Sequence, residues 1–154
     1  MEIITGELIK LANEGQFTSI VHGCNCFSTM GAGIAKAIKL TWPRAYQADA
    51  RCRLKPEQRL GKISSAMVEA EKTGEDFRVI NAYTQYRWGR GKRQVNYSAV
   101  KACFKLINSQ FGGPGTVIGF PLIGCGLAGG DWNIISRIID DELGDTLHCL
   151  VKLN

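Results

Sequence analysis

A chain of 154 residues is long enough to bury about two-thirds of its unfolded surface in one core, so a single domain spanning residues 1–154 is expected. Hydrophobic residues at 45% and charged residues at 21% are ordinary globular values and exclude a disordered, solvating chain. No apolar run approaches the roughly 18 residues of a membrane helix, and Met1-Glu-Ile-Ile-Thr-Gly-Glu7 has no signal-peptide anatomy, so a cytosolic, monomeric protein with no membrane partner is expected. The net charge of +5 is local: Arg87, Arg90, Lys92 and Arg93 crowd into a segment with no acidic residue, which points to an anionic ligand.

In chain order, Glu2 to Thr5 reads as a short strand closed by Gly6, and Leu8 to Asn13 as a brief helix ending at Gly15. Ser19 to Gly23 reads as a buried strand, followed by the polar, glycine-bearing segment Cys24 to Gly33. Ile34 to Leu40 has helical apolar spacing and is interrupted at Pro43. Arg44 to Arg53 starts another helix, and Pro56 falls in the loop beyond it. Lys62 to Ala70 and Phe77 to Thr84 are strands around the turn Lys72-Thr-Gly-Glu-Asp76.

Val95 to Phe111 is an amphipathic helix with Val100, Cys103, Phe104 and Ile107 on one face, terminated by Gly112-Gly-Pro-Gly115. Thr116 to Phe120 is a strand, Trp132 to Leu143 a helix and Thr146 to Leu153 the last strand. Helices alternating with strands predict an α/β fold with a mostly parallel sheet. The polar loops 23–33, 85–93 and 121–130 all follow strands, so they should converge on one cleft beyond the strand ends.

The stretch Gly119-Phe-Pro-Leu-Ile-Gly-Cys-Gly-Leu-Ala-Gly-Gly-Asp131 is the most telling of the three. Strand, glycine loop and helix is how a chain presents bare backbone N–H groups to a phosphate. Asp131 is suited to cap the helix that begins at Trp132, or to direct a water molecule at the site. Asn25 carries the donors and the acceptor a ribose diol needs, or it bonds its own loop backbone.

His22 is the general-acid candidate by its ordinary pKa, with a satisfied core histidine as the alternative. The basic loop either clamps a terminal phosphate through Arg87 or Arg90, stays a solvated loop, or touches nucleic acid, which one basic loop does not favour. Trp88 in the same loop is placed to stack on a ring or to close the cleft. His22, Cys24 and Cys26 alternate as metal ligands can, but no second ligand pair follows, so no metal or cofactor is expected. The six cysteines are read as buried thiols.

His22-Gly-Cys-Asn-Cys26, Met30-Gly-Ala-Gly-Ile-Ala35 and Pro121-Leu-Ile-Gly-Cys-Gly-Leu127 resemble the macro domain family of ADP-ribose-binding modules, over nearly the whole chain. Thr5-Gly6-Glu7 is similar to that family's Gly-Asp element. Within the family the chain looks most like the branch of ADP-ribose 1''-phosphate phosphatases and terminal ADP-ribose–glutamate hydrolases. His-x-Cys-Asn-Cys and Val95-Asn-Tyr97 lie nearest the phosphatase type. The resemblance implies a three-layer α/β/α fold around a mixed, mostly parallel sheet, with ADP-ribose or a derivative as the small-molecule partner.

Residue by residue, it implies that Glu7, with Leu8 after it, meets the adenine and that Asn25 meets the distal ribose. Gly31, Ala32, Gly33 and Ile34 would form the first diphosphate loop, and Ile123, Gly124, Cys125, Gly126 and Leu127 the second. Thr84, Gln85 and Arg87 complete the implied binding set. The hydrolases' catalytic lysine corresponds to Gln85 and their aspartate to Ala128, so lysine-dependent cleavage is disfavoured. The expected reaction is hydrolysis of ADP-ribose 1''-phosphate, with His22 and Asp131 as the catalytic pair. A binding-only module and a hydrolase that removes ADP-ribose from protein or nucleic acid are the alternatives.

Overall fold

In a computed structural model of the chain, which describes residues 1–89 and 91–154, the strands form one six-stranded sheet. The elements are β1 (Glu2–Thr5), α1 (Leu8–Asn13), β2 (Ser19–Cys24), α2 (Gly33–Thr41), α3 (Pro43–Ala50), α4 (Pro56–Arg59), β3 (Ile63–Glu69), β4 (Asp76–Tyr83), α5 (Tyr97–Phe111), β5 (Val117–Phe120), α6 (Trp132–Leu143) and β6 (Leu147–Lys152). The sheet order is β1-β6-β5-β2-β4-β3. Only β3 runs antiparallel, paired with β4 from Ile63↔Ala82 to Glu69↔Asp76. β1 with β6, β6 with β5, β5 with β2 and β2 with β4 are parallel.

Adjacent residues on a strand face opposite ways, and both faces here are apolar because both are covered. Ile20, Val79, Cys149 and Val151 meet Leu8 and Ala12 of α1, Ile38 of α2 and Ala45 of α3. Their neighbours Val21, Ile80, Ile118, Phe120 and Leu150 meet Val100, Cys103, Phe104 and Ile107 of α5 and Ile135, Ile139 and Leu143 of α6. The result is a three-layer α/β/α fold. Among the described residues no helix is long and apolar enough to cross a membrane.

Three sequence expectations move at the edges. The Arg44–Arg53 helix starts at Pro43 and ends at Ala50, where the next carbonyls turn to the Arg59 guanidinium: Arg59 Nη2 donates to Cys52 O at 3.1 Å and Nε to Leu54 O at 2.8 Å. Pro56 does not lie in a loop. It opens α4, since proline loses nothing at the first helical position. Val95 is not helical. Asn96 caps α5 by accepting from Ala99 N at 2.9 Å, while Val95 pairs with Gln85 in an isolated bridge. That bridge ties down both ends of the 85–95 loop.

Candidate ligand cleft

β2 leads into α2 on one face of the sheet, whereas its neighbour β5 leads into α6 on the other. Chains leaving adjacent parallel strands in opposite directions open a crevice at the strands' carboxyl ends. A cavity of about 660 Å³ occupies that crevice, and all three polar loops line it. The first supplies Asn25 and Thr29 to Gly33, the second Gln85, Trp88 and Gly89, and the third Pro121 to Gly124 and Gly126 to Ala128.

Gly31, Ala32, Gly33 and Ile34 stand on this wall at the start of α2. α5 and α6 are capped by Asn96 and Asp131, but Ala32 at the cap of α2 has no side chain to bond the first turn. An uncapped helix start facing a cavity offers N–H donors and the positive end of a helix dipole to an anion. Opposite it, the 121–130 loop spends the N–H groups of Ile123, Cys125, Gly129 and Gly130 on its own carbonyls. Among the described residues no acceptor takes those of Gly124, Gly126 or Leu127.

Gly124 has φ +74°, and a Cβ there would sit 2.7 Å from Val95 Cγ2, so only glycine fits. A Cβ on Gly126 meets nothing within 4 Å, because it would point into open cleft. Ile123 is buried on the wall, Leu127 is exposed on it, and Cys125 turns away, its Sγ 3.5 Å from Ile123 O.

Asn25 lines the cavity with its amide already engaged: Oδ1 accepts from Phe27 N at 2.8 Å and Nδ2 donates to Thr29 Oγ1 at 2.6 Å. These bonds set the amide's orientation and leave part of its capacity for a ligand. Gln85 lines the cavity and donates to Arg87 O at 2.9 Å. Thr84 is fully buried beneath the wall, where a Cβ on Gly23 would meet its Oγ1 at 2.8 Å. Arg87 lies outside the lining, its guanidinium 5.3 Å from the Phe27 ring centroid and 5.4 Å from that of Tyr86. Trp88, 57% exposed, packs edge-on to Phe27 and forms part of the rim. Arg90 lies outside the described residues.

The two residues expected to be catalytic are not on the cleft. His22 is fully buried within β2, where Nε2 meets Asn81 Oδ1 at 2.7 Å. Asn81 Nδ2 donates to Ala45 O and Ser64 Oγ, so Asn81 Oδ1 is an acceptor and His22 Nε2 carries the proton. Burial pulls the His22 pKa down to about 4, against the bond to Asn81, so the ring is a neutral core group and not a proton donor to ligand. Asp131 is exposed and caps α6, its Oδ1 accepting from Asn133 N at 2.8 Å. Of the two roles open to Asp131, the structure shows the cap.

Glu7 and Leu8 are also elsewhere. β1 is an edge strand, separated from β5 by β6, so Glu7 lines a second cavity of about 500 Å³ with Lys10, Glu14 and Asn154, and Leu8 is buried in the core.

Asp49 is a lining residue that loop-centred reading misses. It sits four residues after Ala45 on α3, on that helix's buried face, and is 1% exposed. Burial raises its pKa, opposed by hydrogen bonds from Tyr83 and Ser28 and by the Arg59 charge. Cys24, also on the wall, has its thiol pushed well up, chiefly by burial. Its Sγ lies 3.6–3.7 Å from the His22 ring nitrogens, and among the described residues no group of three or more potential ligands could hold a metal ion.

The macro domain pattern matches residues 21–139, which hold every cleft-lining residue. The chain belongs to the macro domain family. It is 33% identical over 147 residues to the uncharacterized 17.5 kDa protein in the tk-vs intergenic region of Enterobacteria phage T4, covering 91% of this chain and 88% of that one. A Bacteroides thetaiotaomicron protein of unknown function superposes with a TM-score of 0.75 at 27% identity over 99% of both chains. Two solved structures of lower identity share the fold. The macrodomain of Thermus aquaticus DarG has a TM-score of 0.69 at 20% identity, covering 99% of this chain and 97% of that one. Thermosipho africanus DarTG in complex with ADP-ribose has a TM-score of 0.75 at 17% identity, covering 99% of this chain and 42% of that one.

Two predictions follow from the displaced residues. His22 binds its proton more weakly folded than unfolded, so stability is fully present above about pH 6.5 and falls as pH drops toward 4, by about 3 kcal/mol. Urea unfolding at stepped pH measures this, and the slope between pH 6.5 and 4 is expected to flatten in His22→Gln. Asp131→Ala is expected to lower stability by about 1 kcal/mol through loss of the cap and to leave ligand affinity within twofold. A Tm scan and a ligand titration on the same sample read both.

Proposed function

We propose that the cleft binds ADP-ribose and that this macro domain hydrolyses the terminal phosphate of ADP-ribose 1''-phosphate. The observation that carries the binding half is the facing of two backbone donor segments across one cavity: the uncapped start of α2 and the open N–H groups of Gly124, Gly126 and Leu127. Backbone donors from two segments lining one cavity suit a diphosphate, with a ribose beside Asn25. The similarity to a fold neighbour described in complex with ADP-ribose supports the same ligand.

In the proposed reaction water attacks phosphorus and the bond from phosphorus to the anomeric oxygen breaks, giving ADP-ribose and inorganic phosphate. The contribution of this chain would be electrostatic. Fixed N–H dipoles offset the charge on the phosphoryl oxygens, while Asn25 holds the ribose. Neither His22 nor Asp131 takes part, and Gln85 offers no amine for a covalent adduct. The titratable groups on the described lining are Cys24 and Asp49; burial raises the pKa of both, and for Asp49 the bonds from Tyr83 and Ser28 and the Arg59 charge oppose it. That sparse acid–base equipment favours, as the second reading, a module that binds ADP-ribose without turnover.

The test pairs calorimetric titration of ADP-ribose with phosphate release from ADP-ribose 1''-phosphate, on the wild type and Gly126→Leu. ADP-ribose is expected to bind the wild type, and Gly126→Leu, whose side chain has room but fills the cleft, is expected to fold normally and lose at least tenfold in affinity. Phosphate release above a protein-free control supports the phosphatase; binding with no release leaves the non-catalytic module. No binding by the wild type rejects both.

A further inference from the structure

Asp49 is held from three directions through one of its two carboxylate oxygens. Its Oδ1 accepts from Tyr83 Oη at 2.8 Å and Ser28 Oγ at 3.1 Å, with Arg59 Nη1 at 3.9 Å. Those partners are fixed in turn. Tyr83 Oη also meets Ser64 Oγ at 2.8 Å, and Arg59 Nη1 donates to Ser28 Oγ at 2.8 Å and to Cys26 O at 3.3 Å. Ser28 itself has φ +55°, a left-handed conformation that a non-glycine residue adopts only when its surroundings impose it.

Against this, Asp49 Oδ2 is buried and has no hydrogen-bond partner among the described residues. A buried acceptor left open costs about 1–3 kcal/mol, more when charged. Such an atom in a native fold calls for a partner, and at a cavity-lining residue a bound ligand would supply one. The other described side-chain atom in this condition, Thr84 Oγ1, lies beneath Gly23 of the same cleft. Both open atoms therefore sit under one wall, at the carboxyl ends of β2 and β4. A network that saturates one carboxylate oxygen and leaves its buried twin without a partner, on a residue that lines the cavity, is a preorganised acceptor.

We propose that Asp49 is a ligand-contacting residue whose Oδ2 accepts a hydrogen bond from a hydroxyl group of the distal ribose, beside Cys24 in the cavity lining. The inference rests on the ADP-ribose reading above and adds to it a selective element outside the glycine loops. A carboxylate takes a hydroxyl donor and gives nothing to a bare phosphate. Asp49 thus favours a ligand that continues past the diphosphate into a polyol. Arg59 and Ser28 act through it, as positioning residues.

The test compares ADP-ribose with ADP, which lacks the distal ribose, by NMR titration on the wild type and Asp49→Asn. ADP-ribose affinity is expected to fall at least tenfold in Asp49→Asn while ADP affinity stays within twofold, the retained ADP binding showing that the variant is folded. Equal losses for both ligands mean a purely structural role and overturn the inference, as does no loss for either. Should Asp49→Asn fail to fold, Tyr83→Phe, which frees Oδ1 without touching the ligand, is expected to weaken ADP-ribose at least threefold and ADP not at all; equal effects on the two overturn the inference. Failure of the ADP-ribose reading shows itself in the wild type, which would then bind neither ligand, whereas failure of the Asp49 inference shows only in the variants.

Discussion

The cleft exists because β2 and β5, hydrogen-bonded neighbours running the same way, send the chain to opposite faces of the sheet. Every other feature of the site depends on that divergence. It leaves the start of α2 and the 121–130 loop facing each other with no helix between them, and it sets the third loop, after β4, alongside. The apolar packing on both faces makes the divergence rigid: Ile20 and Val21, one residue apart, anchor β2 in two separate cores. A ligand loop supported in this way needs little reorganisation to bind, and low reorganisation is where affinity is retained.

The donors of this site are mostly main chain, and that shapes its electrostatics. Backbone N–H groups carry no proton to lose, so their contribution does not titrate. Among the described residues no basic side chain lines the wall. Arg87 is spread over Phe27 and Tyr86, and Arg93 lies 4.4 Å above the Tyr97 ring. Guanidinium groups stacked on aromatic faces order the rim loop and leave a positive field at the mouth, which raises the local concentration of an anionic ligand. Steering at the mouth and neutral dipoles within are complementary, because a dipole already in place holds a phosphate without the cost of desolvating a cation.

Much of this was legible in the sequence, and the parts that were not share a cause. Elements announced by periodicity or by glycine and proline emerged nearly residue for residue: Leu8–Asn13, Trp132–Leu143 and the strands that precede each polar loop. The convergence of the loops followed from strand polarity alone. Depth along a strand and position across the sheet were illegible. His22 looks like a strand-end histidine, yet the pairing of β2 with β4 runs on through Cys24↔Tyr83 and places it inside the core. Glu7 follows a strand as the other loops do, but no local pattern says that β1 will be an edge strand, two places from β5.

Asp49 is the sharpest case of the same limit. In sequence it is a polar residue on a short amphipathic helix, and its nearest chemical partners are Ser28, Arg59 and Tyr83, between 10 and 34 residues away. Only when β4 brings Tyr83 beneath α3 does the carboxylate acquire fixed partners on one oxygen and an open site on the other. Motifs record where the backbone meets a phosphate, because glycine is needed there whatever the rest of the fold does. A side chain that reaches the cleft from a supporting helix leaves no such mark. Differences in ligand preference among chains with the same glycine loops should therefore be sought on the helices that flank the cleft, where one buried carboxylate can change what the end of the cavity accepts.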